Sequence, residues 1–187
     1  MNYLEALKAY RDREIDVFQR LNLEDVNAVM NVLENARITG KRVYTCGNGG
    51  SAATASHYVC DFNKGVSESL DVKHNFECLN DNQPTLMAVA NDIGYDEVFR
   101  YPLRNKMKAG DILIGISSSG NSKNVVNAFE YAKEIGGITV AIVGYSGGKL
   151  KEMADYCIHV EIDDMQISED LHMVLDHMMM WVLTHCE

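Results

Sequence analysis

A chain of 187 residues with 47% hydrophobic and 24% charged content is long enough to bury one core and reads as a single compact unit. Its 17 basic and 27 acidic residues leave a net charge of −10, which excludes general affinity for nucleic acid or for an anionic membrane surface. No apolar run approaches the roughly 20 residues of a membrane helix and the N-terminus has no signal-peptide core, so the expected setting is the cytoplasm.

Residues 3–21 carry Leu4, Leu7, Ile15, Phe18 and Leu21 on one side, the pattern of an amphipathic helix. Asn22 offers an N-cap to a second helix, with Val26, Val29, Met30 and Leu33 at helical spacing and Gly40 as its stop. These two helices precede the first strand. They either pack on their own domain or serve an interface between subunits.

From there the pattern alternates. Strands are expected at 42–46, 75–79, 111–117, 138–143 and 156–162, and helices at 52–63, 85–93, 98–107, 122–135, 148–154 and 168–186. Strands separated by helices predict an α/β fold, an open doubly wound five-stranded parallel sheet flanked by helices. The uninterrupted apolar run Ile112 to Ile116 suits a central strand covered on both faces. Residues 1–38 then form an N-terminal helical segment and residues 39–187 the sheet domain. Cys46, Cys60, Cys78, Cys157 and Cys186 include no CxxC pair, and reduced, buried thiols are expected.

Two stretches carry chemistry. Thr45-Cys46-Gly47-Asn48-Gly49-Gly50-Ser51 passes from a strand through three glycines into a small-residue helix, an arrangement that aims free N–H groups at an anion. His57 and Asp61 follow, four apart and therefore on one helix face. Ser117-Ser118-Ser119-Gly120-Asn121-Ser122 again ends a strand and opens a helix, and hydroxyls with backbone N–H groups can surround a phosphate without a cation. Neither stretch is a Walker A loop or a dinucleotide fingerprint, so no nucleotide cofactor is expected.

Gly47-Asn48-Gly49-Gly50-Ser51, His57, Asn91-Asp92 with Gly94-Tyr95, and the 117–122 loop together resemble the sugar isomerase (SIS) domain, within it the phosphoheptose isomerase group. The resemblance runs from about residue 38 to the C-terminus, and the two preceding helices fit that group's N-terminal region. It implies a homotetramer with a phosphosugar site shared between subunits, and a phosphorylated sugar as partner. It further implies that Ser117, Ser118, Ser119 and Ser122 hold phosphate, that Asn48, Gly49 and Ser51 contact the sugar, and that Asp92 lies near it. His172 and His177 reproduce the family's His-x4-His, with His177 as catalytic acid and Asp61 as base. The family's glutamate is here Asp61, and its glutamine eight residues before the catalytic histidine is here Glu169, which would also contact substrate. His57, Asp61, Glu169 and His177 form a two-histidine, two-carboxylate set suited to zinc or another divalent metal.

Two functions are weighed. One is aldose–ketose isomerisation of a phosphosugar such as sedoheptulose 7-phosphate. The other is a non-catalytic phosphosugar-binding adaptor or regulatory protein of the same fold, which the retained His177 disfavours.

Overall fold

The computed structural model describes residues 1–186. Helix α1 spans Leu4–Gln19 and α2 spans Leu23–Ile38. The Asn22 side chain accepts from the Glu24 N–H at 3.0 Å and caps α2, as its residue type demands. Gly40, at φ +68°, turns the chain out of α2 toward the sheet.

Strands β1 (Val43–Gly47), β2 (Phe76–Cys78), β3 (Ile112–Ser117), β4 (Ile138–Val143) and β5 (Tyr156–His159) pair in the order β2-β1-β3-β4-β5, every pair parallel. The helices between them are α3 (Gly50–Cys60), α4 (Gln83–Asp92), α5 (Arg100–Lys106), α6 (Lys123–Glu134) and α7 (Gly148–Met153), with α8 (Met165–His185) closing the chain. The expected doubly wound five-stranded sheet is the fold observed.

Alternation along each strand divides the core into two. Val43, Ile112, Ile114, Ile116, Val140 and Ile142 face the layer that contains α2, α3 and α8. Tyr44, Cys46, Leu113, Ala141 and Val143 face α5, α6 and α7. Gly115 lets α6 press close, because a Cβ there would overlap Phe129.

Several details depart from the sequence reading, and strand β5, expected to 162, ends at His159. The expected 52–63 helix is α-helical only to Cys60, and Asp61–Gly65 continue as one wider π-helical turn. Helix α8 starts three residues before the expected Ser168, because the Asp164 carboxylate accepts from the Ile167 N–H and caps it. The cysteines are all unpaired, yet only Cys46 and Cys78 are buried; Cys60, the last residue of α3, and Cys186, just past the end of α8, are exposed.

Candidate active site

In β1, Gly47 lies opposite Ile116 of β3, so the turns that follow these two strands emerge side by side. Strand order reverses between them, and in open α/β sheets that crevice is where ligands bind. The first turn needs its glycines. A Cβ on Gly47 would lie 2.6 Å from the Ser51 carbonyl oxygen, and Gly49, the N-cap residue before α3, sits at φ +56°.

Asn48 ties the two turns together. Its amide exchanges reciprocal hydrogen bonds with the amide of Asn124, both at 2.9 Å, and its Oδ1 also accepts from the Tyr95 hydroxyl at 2.7 Å. One Asn48 N–H remains for a ligand.

In the second turn, the hydroxyls of Ser117 and Ser122 lie 3.2 Å apart. Ser122 sits at the N-cap position of α6 without capping it by its side chain, so the first N–H groups of that helix stay available. The Ser118 hydroxyl is buried and has no hydrogen-bond partner among the described residues. An anion would satisfy all three features. Gly120, at φ +62°, lies against the backbone of Gly147, and the Leu150 N–H donates to the Gly120 carbonyl at 3.0 Å. The serine loop is thus clamped by the turn after β4.

The cleft between these turns has a volume of about 220 Å³ and is lined by Asn48, Ser51, the four serines, Tyr145, Met165 and Glu169, with no cationic side chain. A larger cavity of about 580 Å³ lies between α1, α2 and β5, away from the strand ends that build the cleft. The cleft, at the point where strand order reverses and with an orphan hydroxyl inside, is the better ligand site.

Farther along α3 and α8 is a second group. His57 Nε2 lies 3.1 Å from His177 Nε2 and 3.5 Å from Asp61 Oδ2, and His177 Nε2 is 3.9 Å from the same oxygen. Asp176 joins them: one donor atom from each of the four residues lies within 4.8 Å of the others. Asp176 is fully buried, and burial, reinforced by the charge of Asp61, pushes its carboxyl up to about 8. Tyr58 is buried nearby with its hydroxyl unpartnered among the described residues, and burial together with the Asp176 charge raises its pKa.

Two imidazole nitrogens facing each other beside two carboxylates match the donor chemistry of a divalent cation. The edges of a tetrahedral site with bonds near 2.0–2.1 Å are about 3.3–3.4 Å. The spacings of 3.1, 3.5 and 3.9 Å bracket that value. The residues fit a metal.

Of the expected metal set, His57, Asp61 and His177 meet, and Glu169 does not join them. Its carboxylate lies at the head of α3, where a Cβ on Gly50 would overlap it, because Glu169 stands two helical turns before His177. Asn48, Ser51, Ser117, Ser118, Ser119 and Ser122 all line the cleft, as does Glu169. Asp92, the last residue of α4, is exposed, accepts from Asn91 at 2.8 Å and does not line the cleft. His172 turns into the core, where burial lowers its pKa to about 4 against the opposing pull of the Val143 backbone. His74 is buried 3.0 Å from Glu34, His159 bonds to Lys151 and the Tyr145 carbonyl, and exposed His185 stacks on Trp181; none of the three side chains lines the cleft or joins the histidine-carboxylate cluster.

Sequence reasoning assigned no role to Asp176 or Asn124, nor to Tyr95 and Tyr145, although Tyr95 belongs to the family-like motif and Tyr145 to a turn after a strand. Tyr145 had a signal: it interrupts a glycine-rich turn and adopts φ +44°, a conformation that non-glycine residues seldom take.

The SIS domain family profile matches residues 3–144. The chain is 35% identical over 171 residues to a probable phosphoheptose isomerase of Thermoplasma acidophilum, covering 91% of this chain and 93% of the relative. It is 39% identical over 158 residues to the phosphoheptose isomerase of Mycobacterium bovis, covering 84% and 80%. Among solved structures, phosphoheptose isomerase GmhA from Neisseria gonorrhoeae superposes with a TM-score of 0.89 at 28% identity, covering 98% of this chain and 99% of that one.

Proposed function

The chain belongs to the SIS domain family, and from that premise we propose that it is a phosphosugar isomerase interconverting sedoheptulose 7-phosphate and an aldoheptose 7-phosphate. One observation carries the reading: an anion cradle at the strand ends, bordered by Ser51 of α3 and Glu169 of α8, and a cluster of histidines and carboxylates farther along the same two helices. From Glu169 in the cleft to His177 is eight residues, about 12 Å of helix. A seven-carbon chain with a terminal phosphate has the reach to use both ends.

The serine loop and the α6 N-terminus hold the phosphate, while Asn48, Ser51 and Glu169, which line the cleft, contact the sugar; Gly49, at φ +56° between Asn48 and α3, shapes the turn that presents them. The Asp61 carboxylate takes the proton from C1, giving an enediol, and returns it at C2. His177 protonates the carbonyl oxygen at C2 and recovers a proton from the C1 hydroxyl, so the product has the composition of the substrate. Asp92 does not line the cleft of its own chain, and in the proposed homotetramer with shared sites it would contact the sugar of a neighbouring subunit.

A divalent cation, zinc or another, would be held by His57, Asp61 and His177 together with a second carboxylate; when bound it supplies polarisation of the substrate carbonyl. The Nε2 lone pair of His177 takes either a proton or a cation. Its role as acid therefore belongs to the metal-free chain. No nucleotide cofactor enters the reaction.

The test is turnover of sedoheptulose 7-phosphate followed by ³¹P and ¹H NMR, with and without zinc. Appearance of the aldose phosphate is expected; binding of the sugar phosphate without any turnover in either condition would replace the isomerase by a binding module.

A further inference from the structure

We propose that Asp176, not Glu169, supplies the fourth donor of the divalent-cation site with His57, Asp61 and His177. The proposal goes beyond the isomerase reading, because the cation binds or fails to bind whichever sugar is turned over.

The first observation is the shared centre: one donor atom from each of the four residues lies within 4.8 Å of the other three. His57 and Asp61 face it from one side of the α3 run, four residues apart. His177 and Asp176 face it from α8. Adjacent helical residues point about 100° apart, and the seam between α3 and α8 lies between those two directions: Asp176 projects inward and is fully buried, while His177 is exposed.

The second observation is independent of the first. Both carboxylate oxygens of Asp176 are buried and have no hydrogen-bond partner among the described residues. A carboxylate so placed needs a cation or a donor. The histidine nitrogens and Asp61 around it are ligands that a cation would share with it. Glu169 has a different place. It lines the cleft with the serine loop and lies against Gly50, at the positive end of α3, where a carboxylate is favoured. It is thereby free to contact the sugar.

Cobalt(II) titration of the metal-free full-length protein, read by visible absorption, tests the assignment without any sugar present. Wild type should take up one ion per chain with the intense bands of a four-coordinate site. Loss of a supporting group around a metal ligand costs about 10–100-fold in affinity, so Asp176→Asn should weaken binding by at least about 100-fold and alter the spectrum. Glu169→Gln should leave both affinity and spectrum within about 2-fold. The reverse pattern, or no stoichiometric uptake by wild type, would overturn the proposal. If Asp176→Asn does not fold, Asp176→Glu keeps the test open: a displaced ligand should shift the cobalt bands, and an unchanged spectrum would count against it. Metal uptake with no isomerase activity would defeat the functional reading alone; turnover without uptake would defeat this one alone.

Discussion

In the proposed isomerisation, catalysis turns on Asp61. It is one methylene shorter than the glutamate expected there, and it opens the π-helical turn Asp61–Gly65 while its Oδ2 stays 3.5 Å from His57. The wider turn seats this side chain against α8, where Gly65 packs on Met180. Replacing Asp61 by Asn should lower kcat by about 10²–10⁴-fold, the range for a general base. Sugar-phosphate affinity, measured by calorimetry, should stay nearly unchanged. His172 sets a different signature. Burial holds its imidazole near 4, below the ordinary 6.5, so between those values the unfolded chain binds the proton that the folded chain refuses. Stability present above pH 6.5 is therefore lost as the pH falls toward 4, by at most on the order of 3 kcal/mol. Urea denaturation of His172→Leu across that window should show a flatter pH dependence than wild type. His57, Asp61 and His177 were legible in the sequence because an i, i+4 pair on a helix and a family motif point to them. Asp176 was not, since in sequence it is one more carboxylate beside a histidine and only burial gives it a role.

Strand ends and helix starts were mostly legible within one to three residues, since glycine turns and apolar runs mark them locally. The departures came from contacts that spacing does not encode. The start of α8 depends on Asp164, which caps it and also bonds to Arg13 of α1 at 2.7 Å. Asp164→Ala should cost about 1 kcal/mol in urea denaturation, mostly from the lost cap, because the half-exposed ion pair contributes little. The serine loop depends equally on its neighbour. Gly120 combines φ +62° with direct apposition to the Gly147 backbone. A Gly120→Ala change should destabilise the fold by about 1–3 kcal/mol and raise the KM for the phosphosugar, because the two loops must separate.

At the scale of the molecule, the sheet and its order followed from alternating strand and helix patterns, while the assembly did not. Helix α1 buries only Val17 and leaves Leu4, Leu7, Tyr10, Ile15 and Phe18 exposed at helical spacing. An apolar stripe of this kind marks an interaction surface. Helix α2 packs on its own domain through Val26, Val29 and Leu33, while in the proposed homotetramer the α1 stripe packs against other subunits. Light scattering after size exclusion should show a tetramer for wild type and a smaller species for Leu7→Glu with Ile15→Glu, with unchanged circular dichroism. A monomeric wild type would leave Asp92 without a sugar to contact.

In the proposed reaction the cleft anchors a sugar phosphate and the Asp61–His177 pair moves a proton between its first two carbons. Incubating the protein with sedoheptulose 7-phosphate in D₂O and following carbon-bound deuterium by NMR reads that proton directly. Wild type should place deuterium at C1 of the ketose or C2 of the aldose, and Asp61→Asn should slow the exchange by about 10²-fold or more. Absence of carbon-bound deuterium with wild type, with and without zinc, would rule out the proposed isomerisation.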